Sequence, residues 1–68
     1  MYEIEKVEAC IDGFAVLFWS GNNACEVGLD EDGKVERSTA ECLECNVSIS
    51  FDFDKLQEAI DKKRSEQE

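Results

Sequence analysis

Histidine is absent from this chain of 68 residues, and that absence removes Ser-His and Cys-His nucleophilic catalysis together with histidine-based zinc sites. Proline is absent as well, so no sequence position marks a rigid linker or forces a break between domains. Bases are scarce: seven Lys and Arg stand against 17 Asp and Glu, for a formal net charge of −10. A field of that sign repels nucleic acid and favours encounter with basic surfaces. No apolar run approaches the roughly 18 residues of a membrane span, and no basic segment followed by an apolar stretch opens the sequence. These absences predict a soluble, cytoplasmic, monomeric chain with no direct contact to nucleic acid or membrane. In the reducing compartment this implies, the four cysteines are expected as thiols.

What is present is enough for one small folded domain, residues 1–68. Hydrophobic residues make up 43% of the chain, which suits a globular protein better than a disordered one. A domain of this length buries only about 60% of its unfolded surface, so its core must be compact. The charge is lopsided. Residues 1–54 hold 13 acids and three bases (Lys6, Lys34, Arg37), whereas residues 55–68 hold four of each.

Turn chemistry organises the first half. Asp12-Gly13 in "CIDGFAV" predicts a two-residue hairpin turn, pairing Ile11 with Phe14, Ala9 with Val16 and Val7 with Phe18. Gly21-Asn22-Asn23 supplies a second turn, at Gly21-Asn22 or Asn22-Asn23, and either choice puts Cys25, Val27 and Leu29 on the Phe14, Val16, Phe18 face. "DEDGK" predicts a three-residue loop of Glu31, Asp32 and a left-handed Gly33, with Leu29 opposite Val35. A calcium loop is excluded there, because Gly28 and Thr39 stand where an EF-hand needs carboxylates.

From Ser38 onward two signals compete. "STAE" reads as a capping box that starts a short helical or irregular link, while "LECNVSISF" alternates and predicts a strand from about 43 to 51. Asp52 or Asp54 then caps a helix from about 54 to 66, with Phe51 and Leu56 at staple positions for the first choice and Gln57 at the capping-box position for the second. Its apolar stripe is Leu56, Ala59 and Ile60, joined by Phe53, enough for a lid over one sheet face. The expected fold is therefore α+β: an antiparallel β-meander of four to five strands with one C-terminal helix packed on one face.

One helix covers one face, yet "FAVLFW" is apolar on both. Ala15, Leu17 and Trp19 point away from the helix, among Glu8, Cys10, Ala24, Glu26 and Gly28. That second row is covered by the 30–46 segment or offered to a partner. Cover by that segment, or a second small core, is the first expectation, and the enrichment of tryptophan at interface hot spots is what speaks for a partner.

Catalysis finds no support, since carboxylates are everywhere and no pocket-sized core exists to raise one pKa selectively. Cysteine metal chemistry finds little. Only Cys42 and Cys45 have chelating spacing, while Cys10 and Cys25 fall on opposite faces, so no cofactor and no metal are expected. The acids are the remaining feature. Alternate residues on one strand face lie about 6.6 Å apart, a spacing comparable to successive phosphates. Glu3, Glu5, Glu8, Glu26, Asp30, Glu31 and Asp32, with Trp19 as apolar anchor, are the candidate partner-binding residues.

Small size, strong acidity and the lack of catalytic residues, taken over the whole chain, resemble the small inhibitors encoded by bacteriophages and mobile elements, anti-CRISPR proteins and other DNA mimics especially. No shared motif carries individual residues across. The resemblance implies a non-catalytic, stoichiometric blocker in the host bacterial cytoplasm that occupies a basic nucleic-acid-binding surface of a CRISPR effector complex. Two other classes stand beside it: a cellular interaction module anchored by Leu17 and Trp19, and a small metal protein ligated by Cys10, Cys25, Cys42 and Cys45.

Overall fold

The computed structural model describes residues 2–43 and 50–67. Four antiparallel strands, β1 (Tyr2–Cys10), β2 (Gly13–Ser20), β3 (Asn23–Leu29) and β4 (Val35–Cys42), form one open sheet in the order β1-β2-β3-β4, and one helix, α1 (Phe53–Gln67), follows. The α+β meander with a C-terminal helix is therefore the architecture of this chain. No helix among the described residues is long and apolar enough to cross a membrane.

The first hairpin departs from the expected register by one pair. Ile11 and Asp12 make the turn, and Cys10 pairs with Gly13, Ala9 with Phe14 and Val7 with Val16. Gly13 explains the shift. It has φ 153 and its α-carbon lies so near the Leu29 carbonyl that a side chain there would collide with it, so the glycine is spent on a close backbone approach at the start of β2 and not inside the turn. A shift of two in the sum of paired positions keeps every side chain on its face. Two residues nevertheless leave the core: Ile11 sits at the turn, 99% exposed, and Ala9 is exposed.

A bulge between Ile4 and Lys6 then changes the phase of β1. Glu5 is the extra residue, and beyond it Ile4 stands opposite Phe18 and Tyr2 opposite Ser20. Ile4 thereby enters the core, which it shares with Val16, Phe18, Cys25, Val27, Leu29, Leu56 and Ile60. The second hairpin uses the Gly21-Asn22 turn, with Ser20 opposite Asn23 and Gly21 at φ 64. The third has Leu29 opposite Val35 and Gly33 at φ 83, as its loop chemistry predicts.

β4 corrects the reading of Ser38–Cys42 as a helical or irregular link. These residues belong to a strand. Its alternation is broken because β4 advances from Glu36 to Glu41 while β3 retreats only from Gly28 to Glu26, leaving residues 37–40 opposite Val27. Thr39 closes the gap this opens in the ladder: its hydroxyl accepts from the Gly28 amide at 2.7 Å and donates to the Glu36 carbonyl at 2.6 Å. A hydroxyl can do both at once. Most of the strand expected over 43–51, including Cys45, lies outside the described residues.

The helix begins on Asp52, whose carboxylate accepts from the Lys55 amide at 3.2 Å while its carbonyl accepts from Leu56 at 2.9 Å. Leu56 and Ile60, four apart and so on one face, are fully buried against the sheet. An isolated helix of this length is marginal in water, so this stripe and several side-chain ties hold it down. Gln57 is not a capping-box residue: its amide group donates to the Gly33 carbonyl at 2.9 Å and accepts from the Val35 amide at 2.8 Å, clamping the third hairpin. The Arg64 guanidinium lies 4.5 Å from the centre of the Phe14 ring. At the other end the Tyr2 hydroxyl accepts from the Asp52 amide at 2.7 Å.

Candidate partner-binding face

Register assigns every strand residue to the helix side or to the opposite side. Across the helix-free side run three rows: Glu8, Ala15, Gly28 and Glu36; Lys6, Leu17, Glu26 and Glu41; and Glu3, Trp19 and Ala24. Leu43, whose amide donates to the Ala24 carbonyl at 2.9 Å, continues the last row and is 49% exposed. The face thus has an apolar middle, Leu17 and Trp19 with Ala24, bordered by carboxylates on both edge strands. Residues 30–42 do not fold back over it, since they form the third hairpin and the edge strand β4.

Among the described residues, five carboxylates (Glu3, Glu8, Glu26, Glu36, Glu41) share this face with a single cation, Lys6. Lys6 is already committed, because its ammonium donates to the Glu8 carboxylate, and that hydrogen bond, followed by the charge of Glu8, raises its pKa above the usual lysine value. Glu26 and Glu41 stand directly opposite each other. Like charges in that position repel, and a cation from outside would relieve them. The other bases lie elsewhere. Lys34 belongs to the third hairpin loop, Arg37 has its guanidinium 5.2 Å from the Phe53 ring on the helix side, and Lys55, Lys62, Lys63 and Arg64 are carried by α1 itself.

The residues expected to bind a partner are thus divided among three places. Glu3, Glu8, Glu26 and Trp19 come together on the helix-free face, with Glu3 directly opposite Trp19. Glu5 is exposed at the β1 bulge. Glu31 and Asp32 are exposed at the tip of the third hairpin, but Asp30 is not a free surface charge: its carboxylate accepts from the Asp32 and Lys34 amides, each at 2.9 Å. Asp30 builds the loop. Glu36 and Glu41 belong to the face and are not among the expected residues; reading Ser38–Cys42 as a link hides Glu41, which lies past the bulge of β4, whereas Glu36 follows from the pairing of Leu29 with Val35.

Cys10 and Cys25 fall on opposite sides of the sheet, as expected, and among the described residues no group of three or more His, Cys, Asp and Glu is placed to hold a metal ion. Cys42, however, stands directly opposite Cys25. That juxtaposition was hidden for the same reason as Glu41. On the helix side a groove of about 770 Å³ is lined by Tyr2, Lys55, Glu58, Ala59, Asp61 and Lys62. Its four charged groups are exposed and of both signs. Compared with known proteins, the chain matches no family model, no curated protein and no solved structure.

Proposed function

We propose that this protein is a non-catalytic inhibitor of the anti-CRISPR or nucleic-acid-mimic kind, whose helix-free face occupies a basic protein groove that otherwise holds nucleic acid. The observation that carries this reading is the segregation of charge: among the described residues, five carboxylates and one lysine, itself paired with Glu8, surround Leu17 and Trp19 on one side of the sheet, while the cations of β4 and α1 sit on the other. A net −10 alone would be a solubility device. Grouped around a half-buried tryptophan, the carboxylates of this face have the anatomy of an interface, an apolar middle with a polar rim. The bulges at Glu5 and at residues 37–40 interrupt the alternation at about 6.6 Å expected of the acids, and the support comes instead from Glu26 facing Glu41, a repulsion that a basic partner would relieve.

The test is competition for a purified CRISPR effector complex carrying labelled DNA, preceded by pull-down from a bacterial lysate with and without nuclease. Binding should survive nuclease treatment, displace the DNA and weaken steeply with salt, because exposed charges are screened beyond about 8–10 Å at physiological ionic strength. Glu3→Lys with Glu41→Lys should abolish competition and leave the fold intact, since both side chains are exposed. Glu31→Lys with Asp32→Lys, which spares Asp30, separates a contribution of the hairpin tip from that of the face. Competition that persists in the face variant and is indifferent to salt sinks the mimic reading. The half-burial of Trp19 at the centre of the face favours one second reading, an apolar-anchored interaction module. Loss of binding in Trp19→Ala at every salt concentration, without unfolding, would decide for it.

A further inference from the structure

The Leu43 amide donates to the Ala24 carbonyl at 2.9 Å, which makes these two residues a hydrogen-bonded pair of the β3–β4 ladder. Pair types alternate along an antiparallel ladder, so the next pair, Cys25 and Cys42, is a non-hydrogen-bonded one. In such pairs the Cα atoms stand about 4.5 Å apart and the side chains share a face. A disulfide accepts Cα separations of about 4.4–6.8 Å. The expected spacing falls at the short end of that range, so the register suits the bond.

The two thiols also differ in the way a stepwise oxidation requires. Cys25 lies in the core beside Phe18, fully buried, and burial followed by the neighbouring Cys42 pushes its pKa up. It is protected from direct attack as long as the strand is paired. Cys42 is half-buried on the edge strand, within reach of a small molecule.

We infer that Cys25 and Cys42 are a redox-active pair that a small-molecule disulfide converts to an intramolecular disulfide, stapling the edge strand β4 to β3. The Cys42 thiolate attacks one sulfur of the small disulfide and expels one small thiolate, leaving a mixed disulfide on Cys42. The Cys25 sulfur then gives up its proton, attacks the Cys42 sulfur and expels the second small thiolate. Two protein thiols lose two electrons in all, the small disulfide gains them, and the protons lost by the cysteines end on the two small thiols. The staple closes the chain over residues 26–41 and fixes the end of β4 that lies beyond its bulge. Glu41, on the acidic face, is the residue next to it. The inference rests on the register and on the different exposure of the two thiols, and holds whether or not that face binds a partner.

Cys10→Ser with Cys45→Ser leaves Cys25 and Cys42 as the only cysteines. Treated with oxidised glutathione at mildly alkaline pH, the folded double variant should lose the mass of two hydrogens as a monomer. Its melting temperature should rise by on the order of 10–20 °C over the reduced form, from closing a loop of this size in a domain this small. Adding Cys25→Ser should stop the reaction at a glutathione adduct and remove the rise. Adducts or dimers alone in the double variant, or a bridge that lowers the melting temperature, would overturn the inference. If circular dichroism finds the double variant unfolded, the linkage is read instead on the oxidised natural chain, cleaved between the cysteines at Asp12, Lys34, Arg37 and Glu44. A peptide joining Cys25 to Cys42 supports the inference, and Cys42 joined to Cys45, or Cys10 to Cys25, refutes it.

Discussion

Phe18→Ala tests the assignment of faces on which everything else depends. Phe18 is 2% exposed, stands between Ile4 and Cys25 across the sheet, and makes edge-to-face contacts with Tyr2 and Phe51 at ring-centre distances of 5.7 and 5.8 Å. Emptying a buried phenylalanine site costs about 3–5 kcal/mol. Two aromatic contacts, each worth about 0.5–1.5 kcal/mol beyond area, place this residue in the upper part of that range. A domain of this length has a total stability of roughly 3–10 kcal/mol at about 0.05–0.15 kcal/mol per residue, so the variant should lose between roughly half and all of it. Phe18→Leu, which keeps most of the volume, serves as the graded version and should lose about 1–2 kcal/mol. Urea unfolding followed by fluorescence of Trp19, the single tryptophan, measures both. Leu17→Ala, one residue along and on the helix-free face, should cost less than either. If Phe18→Ala costs under about 1 kcal/mol, or Leu17→Ala costs more than it does, the two faces have been assigned the wrong way round.

Two further outcomes follow from backbone details. Thr39→Val leaves the Gly28 amide without the hydroxyl it donates to; at a solvent-accessible site this should cost about 1 kcal/mol, and Thr39→Ser should restore most of it, both read by urea midpoint. Gly13→Ala should cost at least about 2 kcal/mol, because φ 153 is glycine territory and the new methyl meets the Leu29 carbonyl, whereas Gly21→Asn, at φ 64 with open space around it, should change thermal stability by only a few tenths of a kcal/mol. Equal losses at the two glycines would mean that the close approach at Gly13 is not what fixes the first hairpin.

Strand parity made most of this fold legible. Gly21 and Gly33 marked their turns, and the side chains of β2 and β3 alternate so strictly that a slip of one pair at the first hairpin left every face unchanged. What parity cannot register is a change of phase. The bulge at Glu5 moves Ile4 and Tyr2 to the core side, and an alternation count starting at Val7 passes over both. The larger irregularity at residues 37–40 does more damage, because it breaks the period in the one strand that also carries a helix-like "STAE" string. Thr39, which looked like part of a cap, spends its hydroxyl on the Gly28 amide. Side-chain ties between distant segments, such as Gln57 to the third hairpin and Arg64 to Phe14, have no local signature at all.

The same irregularity explains why the acidic face was only half visible. Sequence placed the acids in the first 54 residues and the balanced charges after them, a division along the chain. Folding turns it into a division through the sheet, since α1 covers one side with its own cations and Arg37 joins them over Phe53. Glu26 was assigned correctly to the outer side, but its acidic neighbour is Glu41, which reaches that side because the long bulge in β4 restores the register at Glu41 and Cys42. One bulge thus sets two juxtapositions at once, Glu26 with Glu41 outside and Cys25 with Cys42 inside. A variant that removed the extra residues of β4 would therefore change the charge of the partner face and the spacing of the thiols together, which is a reason to test each with side-chain substitutions that leave the bulge alone.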